Sequence, residues 1–124
     1  YCKDKSIPIL SICRGFQLIA DHLGANIEKL ENHINTNHEI KLIHDKDKFL
    51  VNSFHTYGLL NKNIPNQIRP LAIYEIDNSI EAFTTIDPFS SLNIMWHPER
   101  KNGSKYKTIK LIENFLFAKE NKNY

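Results

Sequence analysis

The chain has 124 residues, enough for one domain with a moderate core. Hydrophobic residues make up 41% and charged residues 24%, the composition of an ordinary globular domain, which argues against disordered and fibrous classes. Net charge is +2, from 16 Lys+Arg against 14 Asp+Glu, and no basic stripe interleaved with aromatics is present, so nucleic acid is not expected as a partner. The apolar runs are a few residues each, against the roughly 20 a bilayer span requires. Neither a membrane partner nor a signal peptide is expected. The two cysteines, Cys2 and Cys13, are too few for a disulfide scaffold and suit a reducing cytoplasm. The sequence carries no signature of an oligomeric state.

The elements read in chain order. Pro8 to Ile12 is a short apolar run of the kind that forms a strand buried on both faces. Cys13-Arg14-Gly15 follows, and then Phe16, Leu18, Ile19 and Leu23 at helical spacing, with Gly24 at the helix end. Asn26 to Asn37 is polar and reads as irregular. Strands are expected over His38 to Ile43 and Phe49 to Phe54, with a turn at Asp45 to Lys48 and a loop at His55-Thr56-Tyr57-Gly58. Ile68 to Ile76 and Ser79 to Ile86 read as a hairpin about Asp77-Asn78. After the loop Asp87 to Ser91, Leu92 to Trp96 is a further apolar strand ending at His97-Pro98-Glu99. Ser104 to Lys119 reads as an amphipathic helix with Tyr106, Ile109, Ile112, Phe115 and Leu116 on its packed side. The order implies one α/β domain with an antiparallel part inserted or appended.

Two motifs carry chemistry. Ser11-Ile12-Cys13-Arg14-Gly15 places a nucleophile between small residues at a strand-to-helix turn, the context of a nucleophile elbow. Cys13 then sits at a helix N-terminus, where the dipole and unpaired N–H groups favour a thiolate. The N–H of Arg14 can donate to an oxyanion. In His97-Pro98-Glu99, Pro98 keeps His97 extended, and side chains two apart point the same way, so Glu99 can orient the imidazole. Each motif has a plainer reading: a buried structural cysteine at a strand end, and a surface histidine beside a proline turn. Together they form the pattern of an activated thiol nucleophile.

Pro8-Ile-Leu-Ser-Ile-Cys-Arg-Gly-Phe-Gln17 resembles the nucleophile motif of class I glutamine amidotransferases, and Trp96-His-Pro-Glu99 resembles that family's His/Glu motif. Cys-Arg-Gly-x-Gln and Val51 to Gly58 are more similar to the free-standing γ-glutamyl hydrolase branch. The resemblance implies a flavodoxin-like α/β fold and a small-molecule γ-glutamyl substrate. It implies Cys13 as nucleophile, His97 as base and Glu99 as its orienter, with Gln17, Asn52, Ser53 and His55 lining the glutamyl pocket. Ser11 stands where that family often has Gly, which keeps the side chain small. The family's first strands and a Gly-rich turn that supplies a second oxyanion donor have no counterpart before Pro8. The chain also opens at Tyr1 and enters a strand almost at once, so residues 1–124 are expected to be the C-terminal part of one such domain.

His33, His38, Glu39 and His44 raise a metal hypothesis, but H-x4-H matches no strong zinc signature. No metal and no cofactor are expected.

Overall fold

A computed structural model describes Lys5 and residues 7–121; Cys2 lies outside the described residues. The elements are β1 (Ile9–Ile12), α1 (Arg14–His22), β2 (Glu28–Lys29), β3 (Thr36–Leu42), β4 (Lys48–Ser53), β5 (Tyr57–Leu60), β6 (Arg69–Tyr74), β7 (Ser79–Thr85), β8 (Ser91–Ile94) and α2 (Lys105–Asn121). One sheet runs in the order β1-β8-β7-β6-β3-β4, and β5 pairs with both β7 and β2. β1 and β8 are parallel, in register from Ile9 opposite Ser91 to Ile12 opposite Ile94. The other described pairings are antiparallel, as the expected antiparallel part requires.

β8 explains why the sheet is covered on both sides. Leu92, Ile94 and Trp96 alternate onto one face, where they join Ile40, Val51, Ala82 and Leu111 of α2. Met95 turns to the other face and packs with Phe16 and Ala20 of α1, Leu59 and Phe83. All four residues of β8 are fully buried: Leu92 and Ile94 pack in the core, and Ser91 and Asn93 are satisfied by buried hydrogen bonds. α1 ends where expected: Gly24 takes φ +94°, and its N–H donates to the Asp21 carbonyl at 3.0 Å. In the β6–β7 turn Asn78 has φ 57° and Asp77 Oδ1 accepts from the Ser79 N–H at 3.0 Å.

Four expectations are corrected. β1 is not buried on both faces: Leu10 is exposed, and of its four residues only Ser11 is buried. Tyr57 and Gly58 are not loop but the start of β5, held between β2 and β7. Asn26 to Asn37 is not wholly irregular, since it contains β2 and the first residues of β3. The packed side of α2 is also rotated. Thr108 and Leu111 are buried and Ile112 and Phe115 partly so, while Tyr106, Ile109 and Leu116 are exposed. That face carries a polar bond as well as apolar packing: the buried Trp96 Nε1–H donates to Thr108 Oγ1 at 2.9 Å, beside Leu111, Ile112 and Phe115. No described helix is long and apolar enough to cross a membrane.

Candidate active site

The nucleophile elbow is built by sterics. β1 ends at Ile12 and α1 starts at Arg14, so a single residue makes the turn. Cys13 takes φ 51° and ψ −97°, a conformation that costs a residue with a Cβ on the order of 1–3 kcal/mol and persists only where its surroundings enforce it. Two bonds do so: Cys13 N–H donates to the Ile94 carbonyl at 2.7 Å, and the Cys13 carbonyl accepts from Gln17 N–H at 3.1 Å. The turn is tight enough that a Cβ on Gly15 would lie 2.8 Å from Ser11 Cβ. Beneath it, Ser11 Oγ donates to Asn93 Oδ1 at 2.6 Å, and Asn93 Nδ2 donates to Ser91 Oγ at 2.8 Å and to the Phe83 carbonyl at 3.2 Å. Ser11 is therefore small enough for the elbow and also ties β1 to β8 by a buried polar bond.

The thiol does not have the electrostatics expected of it. Burial pushes the Cys13 pKa up, and the carboxylates of Glu81 and Glu99 act in the same direction. The Arg100 guanidinium and a hydrogen bond from the Arg14 N–H oppose this without overcoming it. The helix N-terminus alone thus does not produce a standing thiolate.

His97 is oriented by a carboxylate. Its Nδ1 lies 2.8 Å from Glu99 Oε2. A carboxylate only accepts, so Nδ1 carries the hydrogen and a neutral His97 presents Nε2 as a lone pair. Burial works against the charged Glu99, but its backbone N–H, His97 and Arg100 together hold its carboxyl below the usual range. The segment is fixed from behind. His97 N–H donates to Asn52 Oδ1 at 2.8 Å, and Asn52 Nδ2 donates to the carbonyls of His97 at 2.8 Å and Lys101 at 3.1 Å. A Cβ on Gly103 would strike the His97 carbonyl and lie 2.7 Å from Pro98 Cα, so only glycine lets the chain pass here. Because β1 and β8 are parallel neighbours, Cys13 and His97 both leave the carboxyl ends of their strands, where α/β sheets place their sites.

The remaining expected residues face inward. Gln17 Nε2 donates to the Tyr57 carbonyl at 2.8 Å and joins α1 to β5. Asn52, Ser53 and His55 are buried, and their side-chain donors are committed within the chain. Asn52 holds the His97 segment, Ser53 Oγ donates to the His33 carbonyl at 2.7 Å, and His55 lies 3.2 Å from the Tyr57 carbonyl and 3.1 Å from His33. Arg100 was not anticipated. It stacks on Phe54 at 4.8 Å, approaches Glu99 at 3.9 Å and acts on Cys13; its place directly after Glu99 was the available signal. A cavity of about 510 Å³ beside Leu71, Thr85, Ile86 and Phe115 lies at the other end of β8, and none of Cys13, His97 and Glu99 lines it.

A thiol at a strand-to-helix turn, and a carboxylate-oriented histidine just beyond the end of the neighbouring parallel strand, define an α/β protein with its candidate site at the carboxyl ends of β1 and β8. The chain belongs to the class I glutamine amidotransferase family, whose model, "Glutamine amidotransferase class-I", matches residues 1–118. It is 39% identical over 120 residues to the γ-glutamyl-CDP-amidate hydrolase of Campylobacter jejuni, covering 96% of this chain and 56% of that protein. It is 31% identical to the carbamoyl phosphate synthase small chain of Zymomonas mobilis, covering 94% of this chain and 32% of that one. A glutamine amidotransferase structure from Thermotoga maritima matches the fold with TM-score 0.64 at 20% identity, over 98% of this chain and 52% of that one. The chain thus spans about half the length, or less, of the relatives it matches.

Proposed function

We propose that the protein is a hydrolase that cuts a γ-glutamyl amide through a glutamyl thioester on Cys13. The observation that carries this is the 2.8 Å His97–Glu99 bond in the segment that follows β8, the strand paired with the one that leads into the Cys13 elbow. His97 Nε2 takes the thiol proton as the sulfur attacks the γ-carbonyl. The Arg14 N–H donates to the oxyanion as it forms. Collapse of the tetrahedral intermediate breaks the C–N bond, and His97 returns the proton to the leaving nitrogen. Water, deprotonated by His97, then cleaves the thioester and releases glutamate. The raised thiol pKa suits this sequence, since the proton moves when substrate is in place.

The proposed substrate is γ-glutamyl-CDP-amidate, with cytidine diphosphoramidate as the second product. Its support is the 39% identity to a hydrolase of that name over nearly the whole chain. A second reading rests on the carbamoyl phosphate synthase small chain: a glutaminase that passes ammonia to a synthetase. Turnover of γ-glutamyl-CDP-amidate and of glutamine, each measured with and without an added synthetase, separates them. Hydrolysis of the nucleotide amide with little glutaminase activity supports the first; glutaminase activity that appears only with an added synthetase supports the second.

A further inference from the structure

Behind the elbow, three segments send donor atoms to one buried point. His33 follows β2, His55 follows β4 and Glu81 lies within β7; their exposures are 0%, 4% and 1%. His33 Nδ1 and His55 Nε2 are 3.1 Å apart, and Glu81 Oε2 is 3.5 Å from His55 Nε2 and 3.9 Å from His33 Nδ1. The outer nitrogens are already engaged: His33 Nε2 with Asp77 Oδ2 at 2.6 Å, and His55 Nδ1 with the Tyr57 carbonyl at 3.2 Å. Both of those partners only accept, so each outer nitrogen carries the ring hydrogen. In neutral imidazoles the two inner nitrogens are then bare lone pairs facing one another. Neither Glu81 oxygen has a hydrogen-bond donor among the described residues. A buried site with two imidazole lone pairs, a carboxylate and no donor is short of a cation, because such acceptors repel and an unpaired buried carboxylate is costly.

We propose that His33 Nδ1, His55 Nε2 and the Glu81 carboxylate bind a divalent transition-metal ion of the zinc class. Three features fit. At Zn–N and Zn–O bonds of about 2.0–2.2 Å, tetrahedral ligands lie roughly 3.3 Å apart, within the range these atoms span. Two nitrogens and one oxygen form a donor set suited to zinc, cobalt or nickel rather than calcium or magnesium. Finally, Asp77 on His33 and the Tyr57 carbonyl on His55 are the outer partners that orient metal-bound imidazoles. Sequence spacing could not reveal the site, since His55 and Glu81 come from distant strands and the neighbours first considered, Glu39 and His44, are exposed. The ion would pin β7 to the segments before β3 and β5, and so fix the Tyr57 carbonyl that Gln17 grips.

The test uses the whole chain with Cys2→Ser and Cys13→Ser, so that no thiol contributes a ligand. The protein is stripped with chelator, loaded with zinc or cobalt, gel-filtered and analysed for metal and visible absorption. About one ion per chain and a cobalt d–d band of tetrahedral intensity are expected. Glu81→Gln should weaken zinc binding at least tenfold, and Asp77→Asn by about 10- to 100-fold, while Glu99→Gln leaves it unchanged. Circular dichroism reports whether each variant is folded, and the partly exposed Asp77 supplies a reporter if Glu81→Gln fails. A folded parent chain that retains no zinc overturns the proposal, as does equal binding by folded Glu81→Gln and Asp77→Asn; an imidazolium proton would then be the missing cation.

Discussion

Asn52 grips His97 by both of its backbone polar groups, accepting from the N–H and donating to the carbonyl, each at 2.8 Å. A side chain on β4 thereby sets where the imidazole leaves β8. Asn52→Ala leaves the His97 N–H without this partner and frees the loop. Turnover should fall by about 100-fold through misplacement of the base. Stability should fall by about 1–3 kcal/mol for the buried bonds lost. Steady-state kinetics and urea denaturation check both. Full activity in a folded Asn52→Ala protein would show that His97 is held by something else.

Cys13 reactivity should report its burial. A raised pKa means a smaller thiolate fraction at any given pH, so the alkylation rate should climb at higher pH than for an ordinary thiol, whose pKa is about 8.5. Arg100→Gln removes the largest influence favouring the thiolate. Its midpoint should therefore move further up, and labelling at neutral pH should slow. Iodoacetamide rates over a pH series decide the matter; an unchanged midpoint in Arg100→Gln would remove Arg100 from the site.

The elbow predicts a coupled pair. Gly15→Ala puts a Cβ 2.8 Å from Ser11 Cβ and should cost about 1–3 kcal/mol by overpacking. Ser11→Gly gives up the 2.6 Å bond to Asn93 but clears that space. The double variant should be more stable than the sum of the two single changes implies, by about 1 kcal/mol. Strict additivity in denaturation midpoints would mean that the turn relaxes around the new methyl.

Much of this was legible in the sequence. The elbow depends on local features, a strand run, small residues and a helical pattern, and His97-Pro98-Glu99 is likewise contiguous. What stayed hidden depends on contacts between distant segments. Thr108 lies off the apolar stripe of α2, and its burial follows only once Trp96 Nε1 is seen to donate to its oxygen. Tyr57 reads as loop because its strand character comes from pairing with β2, a two-residue strand without a recognisable pattern. Asn52 has a conspicuous motif position, yet its bonds to His97 join β4 to the far end of the chain. The thiol pKa was misjudged because a helix N-terminus is visible in sequence, whereas burial and the nearby carboxylates are not.

The α2 anchor should be separable from catalysis. Thr108→Val keeps the shape but leaves the buried Trp96 Nε1–H without its partner. It should destabilise by about 1–3 kcal/mol. Turnover per folded molecule should change little, since Trp96 sits behind His97. Thermal denaturation and active-site titration give the two readings.

The central claim is a glutamyl thioester on Cys13. Its most direct test is mass spectrometry of protein quenched in acid during turnover of γ-glutamyl-CDP-amidate. A glutamyl adduct on the peptide containing Cys13, absent from Cys13→Ala together with all turnover, is the predicted result. Turnover that persists in Cys13→Ala would contradict it.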